Sequence, residues 1–195
     1  AIQSKIGTDL IEDLPIKFTA VAADIAAEKE HWFQSGPIDQ AIRASVSLPL
    51  FFTLHNVGGV QLIDGGILNP TPIEPTLGDN TDISIAVDLG GPLMKEAALE
   101  PEEARSPWQQ KMDDFLESMK SSESQPKDQW DMFYIADQSF NTMQNAIARG
   151  RMADNPPDHL ISVPRNKCGT LEFDRSAEMI EYGYRLAAEQ LSGKL

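Results

Sequence analysis

Asp64 is the residue whose position in this sequence is most typical of catalysis. It follows the apolar pair Leu62 and Ile63 and directly precedes Gly65 and Gly66. Ligands of open α/β sheets bind outside the carboxyl ends of strands, and paired glycines let the backbone turn sharply and a substrate approach closely. The pattern therefore indicates a catalytic carboxylate. Asp-Gly is also an ordinary turn dipeptide, so the local sequence alone leaves a plain turn open.

Two other aspartates, Asp24 and Asp88, also end apolar stretches. Their spacing says nothing about whether they lie near Asp64. We expect each of them to accept hydrogen bonds from nearby backbone amides. Spacing does not exclude a pair of catalytic carboxylates as in glycosidases, but no cluster of aromatic residues supports a sugar site.

The sequence contains few residues that could bind a transition metal. Its three histidines, His31, His55 and His159, lie far apart, and Cys168 is the only cysteine. We therefore expect packing or surface roles for the histidines and no metal site, and the same sparsity weakens a Ser-His-Asp triad. Residues 79–82, Asp-Asn-Thr-Asp, carry calcium-type side chains but lack the glycine and the distal glutamate of a binding loop, which predicts a turn.

Composition excludes several classes of partner. The 195 residues, 41% of them hydrophobic, suffice for one domain with a core, and the formal charge is −14 at pH 7. This charge repels nucleic acids and anionic bilayers, so we expect no nucleic-acid partner, whereas a neutral or zwitterionic lipid stays compatible. No apolar stretch reaches the roughly 18–20 residues that span a bilayer. The absence of a signal-peptide pattern and the single cysteine favour a cytoplasmic protein.

Strand and helix patterns alternate along the chain, which is typical of an α/β fold with a mostly parallel sheet covered by helices. Residues 51–54 and 60–63 form a predicted hairpin whose second arm carries Asp64. The other strand patterns cover residues 16–23, 30–34, 83–88 and 159–163, and the helical patterns cover residues 38–48, 72–77, 101–120, 129–149 and 175–191.

Residues 95–131 differ from the rest of the chain because they are rich in charge, with a Ser- and Pro-containing stretch at 121–126. This composition predicts a mobile loop between two helices. The first helix carries an apolar stripe, formed by Trp108, Met112, Phe115 and Met119. Such a stripe is typical of a core face, and it could also form a lid or a surface that touches lipid.

Four segments follow one another in a defined order in the first half of the chain. They are residues 18–24 (FTAVAAD), residues 35–38 (SGPI), residues 41–49 (AIRASVSLP), and Asp64-Gly65-Gly66 with Asn69 and Pro72. In this order the chain resembles the second half of the patatin-like phospholipase family. The resemblance covers about residues 10–90 well and continues beyond them only as an arrangement of elements.

The resemblance implies a three-layer α/β/α fold with a mostly parallel central sheet, here incomplete. It implies hydrolysis of an acyl lipid by a Ser–Asp dyad, without metal or cofactor, in which the aspartate of an Asp-Gly-Gly motif is the base. Asp64 matches that aspartate, and Gly65 and Gly66 complete the motif. Transient contact with a membrane is compatible with such a substrate.

The family's other catalytic motif does not occur in this sequence. No Gly-x-Ser-x-Gly elbow is present, nor is the glycine-rich oxyanion loop that precedes it in the family. We therefore interpret residues 1–195 as the C-terminal part of a patatin-like domain, with a mobile helical insertion at about residues 95–130. The missing N-terminal half becomes an expected partner, as a second chain or a further segment. A lost N-terminus also leaves a secreted or membrane-associated protein open.

Two alternatives to a dyad hydrolase remain. The absent nucleophile is compatible with a non-catalytic lipid-binding or scaffold fragment. The second alternative is a different α/β hydrolase whose serine and histidine both lie within this chain.

Overall fold

The computed structural model describes residue 7 and residues 9–49, 52–94, 132–169 and 172–193. The chain divides into two compact units, Ala1–Ser84 with Gln138–Pro157, and Ile85–Asp137 with Asp158–Leu195. Asp64 belongs to the first unit, so the fold of that unit decides where the candidate carboxylate lies.

The first unit contains a four-stranded sheet in the order β2-β1-β4-β3, and its three strand pairs are antiparallel. The strands are β1 (Ala20–Asp24), β2 (Lys29–Phe33), β3 (His55–Val57) and β4 (Val60–Asp64). Gly58 and Gly59 join β3 to β4 with φ of 60° and 90°, the left-handed conformation that glycine adopts without strain. Strand β4 is internal to the sheet, so its last residue, Asp64, is positioned by pairing on one side with β1.

Helices contact both faces of this sheet. Ala20 and Ala22 form a core with Ala41 and Ala44 of helix α1 (Ile38–Ser45). Small residues on both elements allow a close approach of the helix to the strand. Side chains alternate along β2, so Glu30 points to the opposite face of the sheet. There it pairs with Arg151 of helix α2 (Met132–Asp154).

The second unit contains a parallel pair of strands, β5 (Ile85–Gly91) and β6 (His159–Pro164). Helix α3 (Ser176–Leu191) follows them, and its residues Met179, Tyr182 and Leu186 are half-buried. The Tyr182 hydroxyl donates to Sδ of Met94 at 3.8 Å. The three side chains lie on one side of α3, as their helical spacing predicts.

The α/β class predicted from the sequence is confirmed, and it includes the parallel pair β5–β6. The predicted predominance of parallel pairing is wrong for the strands of the first unit. Short connections are the reason for β1–β2 and β3–β4, because a turn of a few residues can join only antiparallel neighbours. A crossover between parallel strands needs a dozen residues or more.

Three strand boundaries differ from those predicted. Strand β1 begins at Ala20 rather than at residue 16, and Ile16 is 79% exposed. The first hairpin arm is His55–Val57 rather than residues 51–54, because the paired glycines set the turn and thus the register. Strand β5 runs from Ile85 to Gly91 rather than over residues 83–88, and Val87 and Leu89 on it are exposed.

The apolar stripe at residues 108–119, the stretch at 121–126 and the first predicted helix at 101–120 lie outside the described residues. The next helix, predicted at 129–149, is observed as α2. Within the described part of the chain, no helix combines the length and the apolar character that crossing a bilayer requires.

Candidate active site

Asp64 lies where strand β4 ends and the chain turns away from the sheet. Its N–H donates to the carbonyl oxygen of Ser47 at 3.0 Å, and it is paired with Ala22 of β1. It also caps the 3-10 turn Gly65–Ile67. The carboxylate is therefore fixed at a strand end by the backbone on both sides, as the sequence predicts.

One carboxylate oxygen of Asp64 accepts a hydrogen bond from the N–H of Gly66 at 2.6 Å. Burial raises the pKa of Asp64 above its ordinary range, and the Gly66 hydrogen bond partly offsets this effect. A carboxylate with a raised pKa is a stronger base than an exposed one, because its ionised form is less well solvated.

Close contacts rather than unusual backbone angles distinguish Gly65 and Gly66, with main-chain atoms next to Gly65 and side-chain atoms next to Gly66. A Cβ at Gly65 would lie 2.3 Å from the carbonyl oxygen of Val21, well inside van der Waals contact. A Cβ at Gly66 would lie 2.8 Å from Nε2 of Gln144 and 2.9 Å from Oδ1 of Asp64. The first glycine thus lets the turn pack on β1, and the second keeps the space beside the carboxylate open.

A pocket of about 410 Å³ lies against Asp64. Its walls come from the segment leading into β1, from α1 and from the turn after β4, and Asp64 is the charged residue among them. The wall is mainly apolar, with polar groups on Ser45, Thr19 and Asn69. This volume and lining are in the range of small-molecule sites that hold an apolar group.

A cluster of polar and charged side chains lies next to the turn that follows β4. The sequence analysis did not predict it. Arg151 contacts Glu30 at 2.7 Å and Glu74 at 3.1 Å. Asn69, 2% exposed, donates through Nδ2 to the same two carboxylates at 3.2 and 2.9 Å. The Trp32 indole also donates to Glu30, at 2.7 Å. We call Glu30, Glu74, Arg151 and Asn69 the Arg151 cluster.

Burial acts on Glu74 in this cluster, but its hydrogen bonds decide the outcome. Burial by itself raises the pKa of Glu74. Hydrogen bonds from Asn69, from the backbone N–H of Glu74 itself and from Arg151, together with the positive charge of Arg151, lower it by more, so the net pKa is below the usual range. These donors therefore stabilise the ionised form. Asn69 further joins the cluster to the candidate site, since its backbone N–H donates to the carbonyl oxygen of Gly65 at 2.9 Å.

Replacing Asn69 by Asp is expected to destabilise the natural protein by about 2 kcal/mol at pH 8, because a third buried carboxylate then shares one arginine. Burial and like charges raise the pKa of the new carboxyl. The destabilisation caused by Asn69→Asp therefore becomes smaller as the pH falls and the new carboxyl binds a proton. Urea unfolding at pH 8 and pH 5 measures both effects. Asn56→Asp is the control, because its exposed Oδ1 accepts from the Gly59 N–H, as an aspartate oxygen also can. Equal stability of the two variants at pH 8 would contradict the prediction.

The other two aspartates have the structural roles predicted for them. Oδ1 of Asp24 accepts from the N–H groups of Ala26 and Ala27 at 2.9 and 3.0 Å. Oδ1 of Asp88 accepts from the Gly90 N–H at 2.8 Å. Asp88 belongs to the second unit, whereas Asp24 belongs to the first.

The two histidines of the first unit, His31 and His55, lie on strands other than the one that carries Asp64. His31 faces the same side of the sheet but lies two strands away, with Ala22 between them. Its ring contacts Phe33, with 4.5 Å between centroids. Burial and the nearby charge of Arg43 lower the pKa of His55. Within the described residues, no group of three or more His, Cys, Asp or Glu side chains is arranged to hold a metal ion.

Two serines near Asp64 differ in their environment. Ser47 is fully buried, and its hydroxyl donates to the carbonyl oxygen of Arg43 at 2.7 Å. Ser45 is half-buried and lines the pocket. Neither has a histidine among the hydrogen-bond partners that the structure gives it, so the geometry supplies no Ser-His-Asp triad from the described residues.

Comparison with known proteins decides the family. A family model described as patatin-like phospholipase matches residues 2–77, a range that includes Asp64 and both glycines. An uncharacterised NTE family protein of Mycobacterium bovis is 32% identical over 241 positions, which cover 98% of this chain and 67% of that protein. One from Mycobacterium tuberculosis matches equally. The chain belongs to the patatin-like phospholipase family.

A second NTE family protein of Mycobacterium bovis is 38% identical to this patatin-like chain over 89 residues. That match covers 45% of this chain and 15% of the relative. The family is one of lipid hydrolases, so membership indicates a hydrolase acting on lipids. The α/β arrangement with its parallel pair β5–β6 agrees with the family fold.

Proposed function

We propose that this chain is the C-terminal part of a serine hydrolase that cleaves carboxylic esters of lipids through a Ser–Asp dyad. Asp64 is the base in this proposal, and the nucleophilic serine comes from outside the chain. The observation that carries it is a half-buried carboxylate, with a raised pKa, fixed at a strand end beside an apolar pocket.

In the proposed reaction, the serine oxygen attacks the ester carbonyl carbon while Asp64 accepts the hydroxyl proton. The tetrahedral species then expels the alcohol, which takes that proton from Asp64, and an acyl-enzyme remains. Water attacks the acyl-enzyme with Asp64 again accepting a proton, and the fatty acid leaves as the serine is restored. The same carboxylate thus acts as base and acid in each half of the cycle.

A carboxylate is a weak base for an alcohol, so its surroundings must favour proton acceptance. Burial does this at Asp64 because it destabilises the charge that is lost on protonation. The Gly66 N–H holds one oxygen of the carboxylate, which leaves the other for the serine. Gly66 also adds no side chain that could block access to it.

The pocket and the overall charge favour a neutral or zwitterionic acyl lipid as substrate. The apolar wall suits an acyl chain, and the described residues that line the pocket include no lysine or arginine to bind an anionic head group. The charge of −14 adds long-range repulsion against anionic lipids. Transient contact with a membrane would deliver such a substrate.

The N-terminal half of the family domain is the partner that the proposal requires, because it carries the serine elbow in the family. The exposed apolar residues Val87 and Leu89 of β5 are compatible with further protein packing on the second unit.

The proposal is tested by the pH dependence of ester hydrolysis. We expect the natural protein to hydrolyse p-nitrophenyl butyrate with an acid limb of kcat/KM whose midpoint lies above about 3.9, the ordinary aspartate value. The sign follows from the raised pKa of Asp64, since only the ionised carboxylate accepts the proton. A midpoint at or below that value would contradict the role of Asp64.

The non-catalytic alternative makes a different prediction in the same assay. It rests on the absence of a Gly-x-Ser-x-Gly motif from this sequence. A natural protein that binds lipid vesicles but never turns over an ester would favour this scaffold function over the hydrolase.

A further inference from the structure

Helix α2 places one polar side chain beside the candidate base. Nε2 of Gln144 and Oδ1 of Asp64 both lie within 3 Å of the point that a Cβ of Gly66 would occupy. The Gln144 amide nitrogen and the Asp64 carboxylate oxygen therefore both border the space beside Gly66. Gln144 is half-buried there.

The same face of α2 carries the residue that attaches the helix to the sheet. Gln144, Ala148 and Arg151 are spaced four and three residues apart, so they share one face of the helix. Ala148 is 2% exposed, which indicates close packing between the two polar contacts. Arg151 reaches Glu30 on β2 and Glu74 after the turn.

The Arg151 cluster also reaches the Asp64 segment directly. Asn69 donates from its side chain to both glutamates and from its backbone to Gly65. The helix and the turn that carries the carboxylate are therefore bound to the same two acidic side chains. We therefore expect a change in the cluster to alter how α2 lies over the turn.

We propose that Gln144 is a positioning residue for the Asp64 carboxylate and that the Arg151 cluster holds Gln144 in place. This inference rests on the proposed function for its catalytic consequence. Its geometric content, an α2 side chain held next to Asp64, is independent of that function.

The surroundings of Asp64 make a new charge at position 144 easy to detect. The Gly66 N–H bonds to the carboxylate from the turn, and α1 contributes Ile42, Ser45 and Val46 to the pocket wall. His31 lies two strands away on the same face of the sheet. On the same face of α2 as Gln144, the charged residue is Arg151, which is paired with Glu30 and Glu74.

The experiment measures the titration of the Asp64 carboxyl by carbon-13 NMR in the natural protein, with Asp64→Asn identifying the signal. Gln144→Glu should raise the Asp64 midpoint by about 1 pH unit, because a like charge at this distance disfavours the ionised form. Gln138→Glu is the matched control, since it adds the same charge at an exposed position on another side of α2. It should leave the midpoint within a few tenths of a unit.

The holding role of the Arg151 cluster is tested by combining variants. In an Arg151→Met background, the shift caused by Gln144→Glu should fall to the level of the control, and Arg151→Lys should restore part of it. Arg175→Met is the matched background, because Arg175 also joins two glutamates, Glu172 and Glu178, but in the other unit. There the full shift should persist.

The outcomes separate this inference from the proposed function. An unchanged Asp64 midpoint in a folded Gln144→Glu protein would overturn the position of Gln144, whatever the protein's activity. A shift that survives in the Arg151→Met background would overturn the role of the cluster. Failure of the hydrolase proposal would instead appear as unchanged ester turnover in Asp64→Asn. In that case Gln144→Glu, in the protein that retains Asp64, would still shift the Asp64 midpoint.

Discussion

Replacing Asp64 by Asn is expected to lower kcat/KM for ester hydrolysis by about 10³-fold, within the range that a general base contributes. The amide can still accept the Gly66 hydrogen bond through its oxygen, so the turn is retained. It cannot accept the serine proton. Hydrolysis of p-nitrophenyl butyrate by the natural protein and the variant, measured at pH 8, gives the ratio.

The same substitution should make the protein more stable. Burial raises the pKa of Asp64, which means that the folded state disfavours the charge it carries at neutral pH. Removing the charge should raise the melting temperature by about 2–4 °C, the shift that 1 kcal/mol produces in a domain of this size. The gain should be complete above the raised folded pKa and disappear as the pH falls through it toward the unfolded value, where both states bind the proton.

Asp24→Asn is the control for both effects. Asp24 also ends a strand and accepts backbone hydrogen bonds, and an asparagine oxygen can accept them as well. We expect its activity and melting temperature to match those of the natural protein. If Asp64→Asn kept more than about a tenth of the activity, Asp64 could not be the base.

Replacing Gly65 by Ala is expected to destabilise the protein by about 4 kcal/mol or more, the range of exceptional single substitutions. The new Cβ would lie 2.3 Å from the oxygen and 2.6 Å from the carbon of the Val21 carbonyl. These are main-chain atoms of β1, a strand that pairs with both β2 and β4, so moving them would disturb the sheet. Urea unfolding, or the soluble yield if the variant does not fold, measures the loss.

Gly78→Ala serves as the matched control because a Cβ at Gly78 meets nothing within 4 Å. Its backbone angles are not left-handed, so alanine should be tolerated there with a change of less than about 1 kcal/mol. A Gly65→Ala protein as stable as Gly78→Ala would show that the turn does not pack on β1 as described.

The sequence was sufficient to predict features that depend on neighbouring residues. Asp64 at a strand end and the capping roles of Asp24 and Asp88 follow from a strand pattern and the residues directly after it. The helix Ile38–Ser45 follows from its apolar spacing and the preceding Pro37. Local hydrogen bonds and periodicity fix these features, and both can be read along the chain.

The Arg151 cluster could not be predicted in this way. Glu30 and Arg151 are 121 positions apart and Glu74 and Arg151 are 77 apart, so no spacing rule connects them. Each of these residues taken alone has the character of a solvated surface charge. Only the packing of α2 on the sheet brings them together, and the position of Gln144 depends on the same packing.

The direction of strand pairing was the main error in the predicted fold. Alternation of helices and strands favours parallel sheets in general, and it did so for β5 and β6. In the first unit, the turn between β1 and β2 and the glycine pair between β3 and β4 are the stronger signals. Short connections should therefore outweigh the order of elements when such a chain is interpreted.

The contact of Gly65 with the Val21 carbonyl has a consequence for how this protein can change under selection. A clash between two side chains can be relieved by making the partner smaller, but every amino acid carries the same carbonyl group. Suppressor screens starting from Gly65→Ala should therefore recover true revertants and no compensating substitution at position 21. Combinatorial libraries aimed at new ester specificity should keep this codon constant and vary the walls of the pocket instead.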